Sequence, residues 1–166
     1  MKLWLVRHGE VEPPRPGTYY GGTEVPLSPE GEAEAGRAAA ALSSEPVLAI
    51  ACSPLSRARW GADRVGEFHP EVSIAQIDGF REVDRGNWVG LTPAEIEAQY
   101  PGALEAHQAD LENWRENEGE SMGDVRNRVL KARAALLGNL GDGVAVVVAH
   151  LFPIRAILAD ALGKPL

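Results

Sequence analysis

The sequence predicts an α/β fold, a three-layer sandwich in which a mainly parallel central sheet is flanked by helices on both faces. Three observations predict it. Short apolar runs recur at residues 3–6, 47–52, 72–77 and 144–149, and the first, second and fourth are nearly continuous rather than alternating. Strands covered by helices on both faces have that pattern, because both sets of side chains are buried. Helix-start signals fall between the runs, and alternation of strands with helices favours a parallel sheet. At 166 residues the chain is long enough to bury roughly two-thirds of its unfolded surface as one unit.

Taken in order, the first strand runs into Arg7-His8-Gly9, where Gly9 would allow a tight turn. Residues 12–22 hold three prolines and three glycines and read as a loop. Ser28-Pro29-Glu30 opens the first helix, with Ser28 as cap and Pro29 at the first helical position. The second strand leads to Ser53-Pro54, which repeats the device, and then to Arg57. The third run is followed by Arg81-Glu82. An irregular region around 85–120 holds short helices and several aromatics and is expected to line the site. Within it Thr92-Pro93-Ala94-Glu95 forms a capping box, and Ser121 with Asp124 forms another before a helix over 125–137. The fourth strand ends at His150, and a last helix over 153–162 stops before Gly163. No repeat, low-complexity tract or linker divides the chain, so residues 1–166 are expected to form a single domain.

The formal net charge of −8 excludes a general nucleic-acid binder, which needs clustered cations against the phosphate backbone. An anion site must therefore be local. The lone Cys52 has no partner for an intramolecular disulfide and reads as a small buried thiol. No run approaches the ~20 apolar residues of a membrane span, and the opening lacks the long apolar stretch of a signal peptide. The expectation is a cytoplasmic protein without membrane or nucleic-acid partners; the sequence leaves homo-oligomer formation open.

In open parallel sheets, ligands bind beyond the carboxyl ends of the strands. That edge would gather Arg7, His8, Arg57, Arg81, Glu82 and His150. A single His after an apolar strand is usually structural, and His with Glu could instead ligate zinc or iron. Two His at equivalent strand ends argue for chemistry. Guanidinium groups argue against a divalent cation and for phosphate, whose oxygens match their planar forks. An unprotonated imidazole at a strand end can attack phosphorus if its other nitrogen is held by a backbone carbonyl. His69 and His107 read as incidental, and Arg15, Arg59 and Arg64 as surface charges.

Leu5-Val6-Arg7-His8-Gly9-Glu10 resembles the signature of the histidine phosphatase superfamily, which includes the phosphoglycerate mutases. Further resemblances follow in order: Gly21 with Pro26-Leu27-Ser28 and Gly31, then Ser53-Pro54-Leu55-Ser56-Arg57-Ala58, Glu82 with Gly86, Trp88 and Gly90, Gly119-Glu120-Ser121, and residues 147–150. The resemblance implies a phosphoglycerate mutase-like fold and a phosphomonoesterase acting on a small phosphorylated metabolite. It implies His8 as nucleophile, Glu82 as proton donor, and Arg7, Arg57, a protonated His150 and Gly21 around the phosphate, with no metal or other cofactor. Within the family the opening residues and residues 20–28 look most like α-ribazole-5'-phosphate phosphatases of cobalamin synthesis, with Tyr19, Tyr20, Trp88 or Trp114 as stacking surfaces. Phosphoglycerate mutase is the alternative, disfavoured by the short 82–121 region and its lack of an added basic cluster; a weakly active phospho-ligand binder is the alternative of another class. Four features depart from the family pattern. Val11 and Pro14 replace side-chain donors, for which the amides of residues 21–23 would compensate. Leu151 replaces a Gly after the distal His, restricting the backbone there. Relatives continue into another strand after the last helix, whereas this sequence stops at Leu166.

Overall fold

A strand with all six side chains buried belongs in the middle of a sheet, and β4 (Val144–Ala149) is such a strand. In the computed structural model, which describes residues 1–138 and 140–165, it pairs in parallel with β1 (Lys2–Arg7) on one side and β2 (Val47–Cys52) on the other. A short β3 (Ile74–Gln76) completes the order β1-β4-β2-β3, all parallel. Leu166, the end of the expected domain, lies outside the described residues.

Period-two alternation divides β4 between two cores. Val146 and Val148 face Ala58, Ala62 and Val65, while Val147 and Ala149 face Val125, Val129 and Ile157. The first layer is α1 (Pro29–Ala41) with α2 (Ser56–Phe68). In chain order α3 (Pro93–Gln99) and α4 (Ala103–Ala109) follow β3, and the opposite layer is α5 (Met122–Leu137) with α6 (Leu151–Ala161). Burial of each Val or Ile contributes roughly 1.5–3 kcal/mol. In the long connection, Trp88, Ile96 and Trp114 form a third cluster with Tyr19, Leu91 and Leu104 packed against it.

The capping boxes at Thr92/Glu95 and Ser121/Asp124 form as the sequence predicts. Other boundaries differ for identifiable reasons. The third strand is shorter than residues 72–77 because the Val72 amide closes a turn onto the His69 carbonyl and Ile77 starts a 3-10 turn. The second helix begins at Ser56 rather than at Pro54, and the Ser53 hydroxyl accepts only from the Leu55 amide, at 3.3 Å. The last helix begins at Leu151 and α5 at Met122, each a few residues earlier than expected. His69 is buried and bonds the Leu42 carbonyl at 3.1 Å, tying the ends of α1 and α2 together. Cys52 is buried, and burial pushes its thiol up to about 11, which keeps it inert.

Gly9 serves close packing rather than a left-handed turn. A Cβ on Gly9 would lie 2.1 Å from the Gly31 carbonyl oxygen, and one on Gly31 would lie 2.0 Å from the Glu10 carbonyl oxygen. The segment after β1 is thereby pressed onto the start of α1, where Ser28 donates to Glu10 through its hydroxyl at 2.6 Å and its amide at 3.1 Å. Both obstacles are backbone atoms, so Gly31→Ala is expected to lower stability by about 1–3 kcal/mol, measured by urea unfolding; an unchanged midpoint would show that the two segments part freely.

Candidate active site

The register levels β1, β4 and β2 at their carboxyl ends: Arg7 lies opposite Ala149 and Cys52 opposite Val148. His8 follows directly, and its amide extends the ladder by donating to the Ala149 carbonyl at 3.0 Å. Its buried ring has Nδ1 2.7 Å from the Gly9 carbonyl oxygen. A carbonyl only accepts, so Nδ1 carries the hydrogen and Nε2 keeps its lone pair. Burial is the main force lowering its pKa to about 4; the Gly9 carbonyl opposes this, and the Arg57 and Arg7 guanidiniums assist it. His8 is therefore neutral, with one nitrogen ready to act as a nucleophile.

Arg57 is placed by a cap that comes from far away in sequence. The Glu24 carboxylate accepts from the Ser56 amide at 3.1 Å and the Ser56 hydroxyl at 2.6 Å, holding the first turn of α2. The next residue, Arg57, is 1% exposed and donates through Nη1 to the Thr23 carbonyl at 2.7 Å and through Nη2 to the Gly21 carbonyl at 2.8 Å. Its Nε is buried with no partner among the described residues. Gly21 has φ +43°, and a Cβ there would lie 2.4 Å from the Val83 carbonyl oxygen, so glycine is required on both counts. Gly21 thus meets the site through a carbonyl that fixes Arg57. The Thr23 amide is taken by the Tyr20 carbonyl at 3.0 Å, so it does not supply the compensating donor expected there.

His150 caps α6 through its backbone and is fully buried. Its ring centroid lies 5.0 Å from that of His8, and neither ring nitrogen has a hydrogen-bond partner among the described residues. Buried donors without partners are costly, and here they cluster beside His8. Burial, followed by Arg57 and His8, lowers the His150 pKa to about 2, so the ring is neutral, in contrast to the cation expected from the sequence. Leu151 occupies the first turn of α6 with its side chain 39% exposed, so the freedom of a glycine is not needed.

The Glu82 carboxyl is buried, with Oε1 accepting from the Val83 amide at 3.0 Å and the Phe152 amide at 3.4 Å. Burial raises its pKa despite those bonds and the nearby Arg85 and Arg57. Arg81 turns outward to Asp78. The loop carrying Glu82 is clamped by Arg128 of α5, a residue that sequence reasoning missed. Its guanidinium donates to the carbonyls of Gly79 at 3.0 Å, Arg81 at 2.7 Å and Glu82 at 3.2 Å, and to Glu120 at 2.6 and 2.7 Å. Glu120 in turn accepts from the Asp84 amide at 3.0 Å.

The structure therefore brings Arg7, His8, Arg57, Glu82 and His150 to one sheet edge, with Gly21 beside them. Arg7 is exposed and lines two adjoining cavities, one of about 150 Å³ with Glu82, Tyr19, Tyr20 and Arg85, the other of about 450 Å³ with His8, Glu10 and Glu34. Trp88 and Trp114 are not brought to either cavity. They pack on one another, with His107 edge-on to both rings. Arg15, Arg59 and Arg64 pair with Glu95, Asp63 and Glu67. Among the described residues no group of three or more His, Cys, Asp or Glu could hold a metal ion. No helix of the described residues is long and apolar enough to cross a membrane. Guanidiniums and imidazoles around a pocket suit an oxyanion.

Comparison with known proteins agrees with that chemistry. The sequence profile of the histidine phosphatase superfamily (branch 1) matches residues 3–166. The chain is 32% identical to phosphoserine phosphatase 1 of Hydrogenobacter thermophilus over 100% of its own length and 78% of the relative's. It is 34% identical to the glucosyl-3-phosphoglycerate phosphatase of Mycolicibacterium vanbaalenii, covering 99% and 75%. The structure superposes on the α-ribazole phosphatase of Shigella flexneri with TM-score 0.87, covering 99% of this chain and 81% of that one, and at 24% identity this likeness concerns the fold.

The buried imidazoles make stability depend on pH with a definite sign. Their pKa values fall from 6.5 to about 4 for His8 and about 2 for His150. Between those values and 6.5 the unfolded chain binds more protons, so stability is lost as pH falls through that window. Urea unfolding at pH 7 and pH 5 is expected to show a loss of a few kcal/mol. His150→Asn should have a shallower slope, and an equal slope would remove His150 as a source.

Proposed function

The chain belongs to the histidine phosphatase superfamily and is a phosphoric monoester hydrolase, and from that premise we propose that it works through a phosphohistidine on His8. Nε2 of His8 attacks phosphorus in line as the bond to the ester oxygen breaks. Arg7, the free donors of Arg57 and an N–H of His150 hold the non-bridging oxygens, supplying the charge stabilisation that other phosphoryl-transfer sites take from magnesium. Glu82, whose carboxyl burial favours in the protonated form, gives its proton to the departing oxygen. The resulting carboxylate then takes a proton from water as that water attacks phosphohistidine, releasing inorganic phosphate and restoring both residues.

One observation carries this reading: the neutral His8 ring, its tautomer set by the 2.7 Å bond to the Gly9 carbonyl, stands 5.0 Å from a His150 ring whose nitrogens have no partner among the described residues. The guanidiniums and imidazoles that meet at the site can themselves carry the charge of the phosphate, so the cycle is written without a metal. For the substrate, α-ribazole 5'-phosphate is carried as one reading, favoured by Tyr19 and Tyr20 at the cavity beside Glu82. Phosphoserine and glucosyl 3-phosphoglycerate, named in the relatives, belong in the same screen.

His8→Ala is expected to lower p-nitrophenyl phosphate hydrolysis by ~10³-fold or more; equal, negligible rates for both proteins would favour a phospho-ligand binder. Glu82→Gln should slow an alkyl phosphate by about 10²–10⁴-fold and p-nitrophenyl phosphate far less, since p-nitrophenolate leaves without a proton. Equal losses would remove Glu82 as the acid. EDTA should leave the rate unchanged, and abolition reversed by zinc would overturn the metal-free cycle.

A further inference from the structure

Arg85 is the guanidinium that this cycle does not use. It is 7% exposed and lies between the Tyr19 ring, at 5.0 Å, and the Phe152 ring, at 4.9 Å. Among the described residues its side chain makes no hydrogen bond or ion pair, and only the Tyr19 and Glu82 groups, neither bonded to it, partly offset its burial. A buried cation without a counter-ion is unfavourable unless something compensates it. Swinging out to solvent is hindered by its backbone, whose carbonyl accepts from Asn117 Nδ2 at 2.9 Å and the Trp88 amide at 3.0 Å. Gly86 follows at φ +49°, and a Cβ there would lie 2.0 Å from the Asn117 carbonyl oxygen. Gly21 closes on the stem, where an added Cβ would lie 2.6 Å from Arg85 Cγ.

Arg85 lines the cavity of about 150 Å³ that is also lined by Glu82. If Glu82 protonates the departing oxygen, the group attached to that oxygen occupies this cavity and meets Arg85. We propose that Arg85 binds a carboxylate borne by the leaving alcohol, so that the substrates are phosphomonoesters of small hydroxy acids in preference to α-ribazole 5'-phosphate, whose leaving group carries no carboxylate. This deepens the proposed function and rests on it. A carboxylate fits better than a second phosphate for two reasons. It is the smaller of the two groups that match the planar fork two bonds at a time, and its single charge balances the single cation left once Arg7 is committed to the transferred phosphate. The aromatic walls lower the local dielectric and strengthen that pairing. The volume equals about five waters at ~30 Å³ each, room for an acid of a few carbons.

The test compares 3-phosphoglycerate with glycerol 3-phosphate, which has the same skeleton with hydroxymethyl in place of carboxylate. The native chain should favour the acid by about 10–100-fold in kcat/KM, the range of a charge-assisted hydrogen bond. Arg85→Met, which keeps the stem, should bring that ratio toward one, and Arg85→Lys should restore part of it. A native ratio near one, measured where His8→Ala abolishes turnover, overturns the Arg85 assignment alone, whether or not the variants fold. Equal losses on both esters in Arg85→Met also overturn it, as does a higher kcat/KM for propane-1,3-diol bisphosphate than for 3-phosphoglycerate. Turnover that survives His8→Ala overturns the covalent cycle and this inference with it.

Discussion

The site depends on a guanidinium that protein groups satisfy on one side only. Two N–H groups of Arg57 are tied to the Gly21 and Thr23 carbonyls, while its Nε is buried without a partner among the described residues. The tied side fixes the Pro- and Gly-rich loop, and in the proposed cycle the untied donors are left for the phosphate. This arrangement requires α2 to begin at Ser56, which Glu24 enforces from the same loop. Loop, helix start and anion donor therefore form one cooperative unit. Losing any member leaves a buried charge or a helix end unpartnered, more costly than losing an exposed contact.

The electrostatics of the pocket differ from those of the whole chain. A net charge of −8 coexists with Arg7, Arg57 and Arg85 around one buried carboxyl. Burial, assisted by the cations, keeps both imidazoles neutral, and burial also moves the Glu82 carboxyl toward its protonated form against the pull of Arg85 and Arg57. The same burial thus moves His8 and Glu82 in complementary senses, the base toward losing its proton and the acid toward keeping one. Arg128 makes this precise in space, because the loop it clamps carries Glu82.

Much of this was legible from the sequence where the cause is local. The continuous apolar runs located β2 and β4 to the residue, since burial on both faces leaves no other pattern. The chain order of Arg7, His8, Arg57, Glu82 and His150 pointed to one sheet edge because parallel strands all end there. Causes remote in sequence were not legible. Ser53-Pro54 looks like a helix start, yet the cap of α2 lies some thirty residues away in Glu24. Arg128 reads as an ordinary helix-surface charge until the fold brings it to the Glu82 loop. Arg85 appeared only as a neighbour of Glu82, and the charge of His150 was misjudged because burial beside Arg57 is a tertiary fact. Trp88 and Trp114, read as possible stacking surfaces, found one another instead.

The bond from the Phe152 amide to the Glu82 carboxyl ties chemistry to the start of a helix. An ionised carboxylate is a better acceptor for that amide, and a better partner for the positive end of α6, than a protonated one. In the proposed cycle, each proton leaving Glu82 tightens the grip on α6, and each proton returning relaxes it. Because His150 is the residue on which α6 begins, the acid and the second imidazole share a mechanical link, and the anchoring of one oscillates with the charge of the other at every turnover.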